Sequence, residues 1–199
     1  MKTVLQLNTS IFSANGQSSR LANEFVAQLD AEKVIVRDLA SDPVPHLDAE
    51  RFTAFATTKE KRNSEQEQFV AYSDGLINEL KQADVIVLGL PMYNFGVPSN
   101  LKAYFDHIAR AGVTFKYTDK GSVGLLTGKK AYVFAARGGM YAGTPRDTQT
   151  QYVRDFLAFL GITDVEFVYA EGLAMGETIR NAAISKARVA IERLIPAFA

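Results

Sequence analysis

Side chains that usually do chemistry are scarce in this chain. Its 199 residues include no cysteine and two histidines. Disulfides, thiolate metal sites and cysteine nucleophiles are thereby excluded. His46 follows Pro45 in a loop-like stretch, and His107 rides a helical pattern beside Asp106. Both read as solvated or capping residues, not as catalysts. No Ser/His/Asp set converges by position and no metal-ligand spacing stands out. In a chain so poor in reactive groups, a bound cofactor is the natural source of the chemistry.

Three stretches have the residue types to hold one. The first is the loop Thr9–Gly16 with the following Gln17-Ser18-Ser19, rich in hydroxyls and amides and lacking a cation until Arg20. A helix start there would offer free N–H groups and a favourable dipole to a single phosphate. The same serines have a second use, as plain helix caps. The second stretch is Pro91-Met92-Tyr93-Asn94-Phe95, flat and amide side chains that form a bed for a planar ring. The third is Arg137-Gly138-Gly139, where two residues without side chains let the backbone approach a ligand; a simple turn is the alternative.

Each stretch follows a predicted strand. Val85-Ile86-Val87-Leu88-Gly89-Leu90 is a short, β-branched apolar run, as expected of a strand buried on both faces, and Pro91 ends it. Pro98-Ser99-Asn100 then starts a helix with Leu101, Tyr104, Phe105 and Ile108 on one face. Earlier strands are predicted at Thr3–Asn8 and Lys33–Arg37, with a helix from Gln17 between them. Glu65–Gln82 is helical by the spacing of Phe69, Tyr72, Leu76, Ile77 and Leu80. Further strands fall at Lys130–Ala136 and Val165–Tyr169, and helices at Tyr152–Leu160 and Thr178–Leu194, with Gly161 as a stop.

Five strands alternating with five helices predict an α/β, doubly wound five-stranded parallel sheet of order 2-1-3-4-5, spanning residues 1–199 as one domain. In that order the loops after strands one, three and four meet at one rim, which favours a mononucleotide-sized planar cofactor. Two segments stay irregular in this reading. Residues 39–63, with Pro43 and Pro45, form a long connection of the kind that serves function or an interface, and Val113–Gly128 is an excursion carrying Phe115 and Tyr117. These two aromatics are candidates for a substrate wall.

Other nucleotide motifs fail. G-x-G-x-x-G is absent after the first strand, although Asp38 stands near a ribose-binding position. Gly128-Lys129 is not a P-loop, because Val123 replaces its first glycine and Lys130 its hydroxyl residue. A receiver domain needs acids at the end of strand one, and Leu7-Asn8-Thr9 has none. With 22 basic and 22 acidic side chains, the net charge is zero, against a nucleic-acid binder or anionic-membrane steering. No apolar run approaches membrane-spanning length, and Met1-Lys2 leads straight into a strand, so the expected location is cytoplasmic.

At the same residues the chain resembles a known family. Leu90-Pro91-Met92-Tyr93-Asn94-Phe95, Pro98–Lys102, Ala111–Thr118, Ala136–Gly139 and Leu160–Asp164 are similar to the FMN-dependent NADH-azoreductases and quinone reductases of flavodoxin-like fold. The resemblance covers nearly the whole chain. It implies that Ser10, Gly16, Gln17 and Ser18 hold the FMN phosphate. Pro91, Met92, Tyr93, Asn94 and Phe95 would hold the isoalloxazine, and Ala136, Arg137, Gly138 and Gly139 its far edge. Asn94, Phe115, Tyr117, Tyr141 and Phe159 would meet substrate, with Met140–Gly143 setting its choice. The family also implies a homodimer with shared sites, ping-pong hydride transfer from NADH or NADPH to azo compounds and quinones, and no catalytic side chain. Asn15-Gly16 departs from many relatives, which carry serine there. The alternative is a flavodoxin-type electron carrier; such carriers are strongly acidic, and this chain is not.

Overall fold

The computed structural model describes residues 2–198. Its strands are β1 (Lys2–Asn8), β2 (Ala31–Asp38), β3 (Val85–Pro91), β4 (Phe115–Thr118), β5 (Gly121–Gly124), β6 (Lys130–Ala136) and β7 (Asp164–Ala170). The helices are α1 (Gln17–Val26), α2 (Ala49–Ala56), α3 (Ser64–Gln82), α4 (Ser99–Ile108), α5 (Thr148–Leu160) and α6 (Glu177–Leu194). Five strands form one parallel sheet in the order β2-β1-β3-β6-β7, which is the expected 2-1-3-4-5 of a flavodoxin-like fold.

The period-two alternation of each central strand divides the core into two layers. Leu5, Leu7, Ile86, Leu88, Leu90, Ala131 and Val133 face one way and pack on α3, α4 and α5. Val4, Val85, Val87, Tyr132, Phe134 and Val168 face the other way onto α1 and α6. Every residue of β3 is buried, as its continuous apolar run required. Leu101, Tyr104, Phe105 and Ile108 of α4 are all buried. On α3 the core face is Val70, Ser73, Leu76, Ile77 and Leu80, while Tyr72 lies on the exposed side. Among the described residues no helix is long and apolar enough to cross a membrane.

Two segments expected to be irregular are ordered. Within 39–63, Asp48 caps α2 by accepting a hydrogen bond from the Arg51 N–H at 2.8 Å. The prolines upstream concealed a short helix that had its own start signal. Phe115–Gly124 is an antiparallel hairpin, so Phe115 and Tyr117 belong to a strand after all. The hairpin is anchored by Leu126, whose N–H donates to the Leu160 carbonyl at 2.8 Å at the far end of α5.

His107 also departs from expectation. It is 1% exposed, with Nδ1 3.0 Å from the Ala103 carbonyl and the rings of Phe55 and Tyr72 edge-on to it. Far from being solvated, it is a core residue that joins α2, α3 and α4. Burial holds its pKa below the ordinary histidine value, against a smaller opposing contribution from the bond to Ala103.

Candidate functional site

The order of strand addition reverses at the β1–β3 pair, with β2 on one side and β6 on the other, so the loops leaving these parallel strands diverge and open a crevice at the sheet's C-terminal rim. The first wall is the β1–α1 loop. Gly16 occupies the cap position of α1 and has no side-chain capping bond, and the N–H groups of a helix's first turn have no acceptor within the helix. A Cβ on Gly16 would fall 2.1 Å from Ser10 Oγ, so only glycine lets the loop close on that serine. Ser18 and Ser19 are buried inside the helix, and neither Oγ has a partner among the described residues. Capping therefore does not account for them. A buried, unpartnered hydroxyl beside free first-turn amides is suited to an anion.

The second wall is the β3–α4 loop. Pro91 ends β3 opposite Ala136, and the Met92 N–H donates to the Ala136 carbonyl at 3.1 Å. Tyr93 and Gly96 then exchange backbone bonds of 3.2 and 3.0 Å around a tight turn. The two residues at its tip, Asn94 and Phe95, lie at φ 51° and 65°, in the left-handed region. Asparagine tolerates that region; phenylalanine rarely enters it. No protein acceptor for either residue's N–H exists among the described residues. The Tyr93 hydroxyl reaches back to the first wall, accepting from the Ile11 N–H at 3.2 Å and lying 3.3 Å from Ser10 Oγ. Asn100 adds a second tie, donating from Nδ2 to the Thr9 carbonyl at 3.2 Å.

The third wall follows β6. Arg137 was expected to serve a cofactor; its guanidinium is fully buried and its donors are spent on its own chain. It donates to Asp147 at 2.9 Å, to Thr150 at 3.0 Å and to Glu171 at 3.1 Å. Its backbone is committed too, through Ala170 and Leu173. Burial alone would raise the Asp147 carboxyl pKa, but the bonds from Arg137 and Thr150 outweigh it and hold the group below the usual carboxylate range. The N–H groups of Gly138 and Gly139 are left without a protein acceptor among the described residues. Glu171 fixes the next stretch by accepting from the N–H groups of Tyr141 and Ala142, each at 2.9 Å.

Met92, Asn94, Phe95, Gly138, Gly139 and Tyr141 together line a cleft of about 250 Å³. The Tyr141 ring stands edge-on to Phe95, with centroids 5.6 Å apart. Its hydroxyl covers Gly139 closely enough that a Cβ there would fall 2.6 Å away. Size alone does not pick the site. A groove of about 820 Å³ runs between α1 and α6, but Glu24 and Arg188 already pair across it at 2.7 Å. The residues with free amides, Asn94, Phe95, Gly138 and Gly139, line the smaller cleft instead.

The expected substrate aromatics divide. Tyr141 is at the cleft. Phe115 is 6% exposed and packs on Phe159 with ring centroids 4.2 Å apart, so it is buried in its own chain. Phe159 lies ten residues along α5 from Gln149, about 15 Å at the helical rise. Neither it nor Phe115 is brought to the cleft by its own chain. Tyr117, on the same hairpin, is 75% exposed.

A helix start after β1 with an unpartnered Ser18 hydroxyl, and a cleft between the loops after β3 and β6, at the C-terminal rim of a 2-1-3-4-5 sheet, are the arrangement of a flavodoxin-like protein. The chain belongs to that family: the model described as flavodoxin-like fold matches residues 2–195. An FMN-dependent NADH:quinone oxidoreductase of Cellvibrio japonicus is 55% identical, over 99% of this chain and all of the relative. FMN-dependent NADH:quinone oxidoreductase 6 of Burkholderia lata is also 55% identical, over 96% of this chain and 98% of the relative. Among solved structures, an FMN-dependent NADH-azoreductase of Bacillus anthracis in complex with FMN superimposes with TM-score 0.86. It is 28% identical and covers 98% of this chain and 100% of its own.

Proposed function

We infer that this rim holds FMN and that the chain uses it to carry electrons from NADH to quinones and azo compounds. The observation that carries the reading is a convergence. The free amides of Asn94, Phe95, Gly138 and Gly139 line one cleft, and the buried, unpartnered Ser18 hydroxyl lies in the first turn of α1, after the neighbouring strand at the same edge of the sheet. Those groups fit a phosphate at one end and the polar edge of a flat ring at the other. The names of the relatives at 55% identity and of the FMN-bound structure supply the cofactor, the reductant and the acceptor classes.

In this reading Ser10, Gly16, Gln17 and Ser18 bind the phosphate. Pro91 to Phe95 and Ala136, Gly138 and Gly139 seat the ring, with Arg137 acting through its buried ion pairs and not by contact. Bound FMN would accept two electrons from NADH and deliver them to the acceptor. The protein aligns flat partners in one slot walled on one side by the Phe95–Tyr141 pair and offers no general acid or base. The whole chain, 1–199, serves this one domain.

A cytoplasmic homodimer follows in the same proposal. NADH is held inside the cell, and Phe12, Phe95 and Met140 near the cleft and Tyr117 on the hairpin are 65%, 50%, 63% and 75% exposed, large apolar side chains that a second copy would cover. Phe115, Tyr117 and Phe159 then belong to the substrate side of the other subunit's cleft. The visible spectrum of protein purified without added cofactor, repeated after anaerobic NADH and then a quinone, tests the assignment. Oxidised-flavin bands that bleach with NADH and return with quinone are expected. Bleaching with no return on quinone would leave an electron carrier, and a protein that takes up no FMN would end the reading. Sedimentation of the purified protein tests the dimer.

A further inference from the structure

We propose that Gln149 is a positioning residue for the cofactor, holding the Asn94–Phe95 turn in the shape that presents its free amides. The inference rests on the FMN reading above. Gln149 lies in the first turn of α5 and is fully buried. Its Nε2 donates to the Pro91 carbonyl at 2.8 Å and to the Gly96 carbonyl at 3.2 Å, the two ends of the ring-bed loop. The neighbouring Thr148 donates from its hydroxyl to the Phe95 carbonyl at the tip. One helical turn thus clamps both ends and the apex of a loop whose two central residues are left-handed without being glycine.

The chemistry of the residue supports a role in presentation and not in packing alone. Its Oε1 is buried with no partner among the described residues. An unsatisfied oxygen in the core is costly, and an apolar side chain of the same size would avoid that cost were the position only structural. What the amide supplies is two donated bonds to carbonyls that no other side chain reaches. The clamp is itself anchored. Asp147 caps α5, accepting from the Thr150 N–H at 3.0 Å, and is held by buried Arg137. The chain of contacts runs Arg137, Asp147, α5, Gln149, and couples the glycine edge after β6 to the turn after β3. Two walls of the cleft therefore keep a fixed relation.

The test compares the wild type with Gln149→Leu, Gln149→Glu and Thr148→Val. Gln151→Ala, a change on the exposed side of α5 where Gln151 bonds only Asp155, serves as control. Three quantities are measured: FMN affinity by fluorescence titration of the apoprotein, visible circular dichroism of the bound flavin, and ¹⁵N amide shifts of Asn94 to Gly96 without cofactor. Gln149→Leu is expected to weaken FMN at least tenfold, change the flavin dichroism and shift those amides, with Thr148→Val smaller in the same sense. Only a protonated glutamic acid can donate to either carbonyl. Gln149→Glu should therefore bind poorly at pH 8 and regain affinity toward pH 5, a recovery no purely structural role produces. Wild-type affinity, dichroism and amide shifts in the folded Leu and Val variants would overturn the proposal, as would a Glu variant with no pH recovery. If the wild type itself took up no FMN, the functional reading would fall instead. The amide shifts would still decide whether Gln149 sets the turn.

Discussion

Replacing Arg137 with methionine tests how much of the rim is held by one buried cation. The guanidinium is fully enclosed between Asp147 and Glu171, whose side chains are 8% and 12% exposed. Methionine nearly matches its length but removes the charge and every donor, leaving two carboxylates facing each other in the core. Breaking a buried ion pair in this way costs about 3–5 kcal/mol, because the uncompensated charge stays behind. Taking ~4 kcal/mol and about 3 °C per kcal/mol for a chain of this size, the melting temperature falls by about 12 °C. The loss should depend on pH. In the wild type Asp147 is held below the ordinary carboxylate range, so its contribution is whole above that range and fades as pH falls through the depressed value. Without Arg137 the largest remaining influence on Asp147 is burial, which raises its carboxyl, and protonation then relieves the folded state. Calorimetry at pH 5 and pH 8 should show the gap between variant and wild type narrowing at the lower pH. The triple variant Arg137→Met, Asp147→Asn, Glu171→Gln should recover most of the loss, asparagine still capping α5. A drop under about 3 °C, or a gap unchanged between the two pH values, would refute the reasoning.

Other consequences are as direct. The depressed pKa of buried His107 makes the folded state bind its proton less readily than the unfolded chain does. Its stabilising effect is whole above the unfolded value of 6.5 and is lost as pH falls below it. The melting temperature should therefore decline from pH 7 to pH 5, and His107→Asn should flatten that slope. Gly16→Ala drives a methyl into Ser10 Oγ and should cost at least tenfold in FMN affinity by fluorescence titration, while the melting temperature of the apoprotein moves little. Tyr141→Ala uncovers Gly139 and opens the cleft. It should raise kcat/KM for a naphthoquinone relative to a benzoquinone, and an unchanged ratio would remove Tyr141 from the substrate wall.

What could be read from the chain in advance was local. Proline at 91, glycines at 138 and 139, and the buried run before Pro91 punctuate their own neighbourhoods, so strand ends and loops announced themselves. What escaped was held together by distance. Arg137 was read with its two glycines as the far edge of the ring, yet the partners of its side chain lie 10 and 34 residues onward. Gln149 gave no signal at all, since its acceptors are backbone carbonyls 58 and 53 residues earlier. His107 looked solvated beside Asp106 because the rings that bury it come from α2 and α3. Two misses did have local signals. Asp48-Ala49-Glu50-Arg51 is a capped helix start, and Thr118-Asp119-Lys120-Gly121 is a hairpin turn, with Gly121 at φ 114°.

The geometry of the cleft bears on the proposed second copy. At about 250 Å³ it falls short of the roughly 300–1,000 Å³ common for small-molecule sites. Its outer wall is a single aromatic pair, Phe95 and Tyr141, of which Phe95 is half exposed. Two flat molecules stacked face to face need a ceiling as well as a bed, and the described residues that line the cleft include none beyond the Phe95–Tyr141 pair. The aromatic residues that could form one sit about 15 Å down α5, with Tyr117 projecting from the hairpin. In a symmetric dimer the hairpin and the end of α5 from one copy can face the turn of the other, so each copy would complete its partner's slot. Tyr117→Ser should then leave FMN affinity intact while raising the KM for quinone. It should do so only in the dimer, a dependence that mixed dimers with an inactive Gly16→Trp partner can resolve.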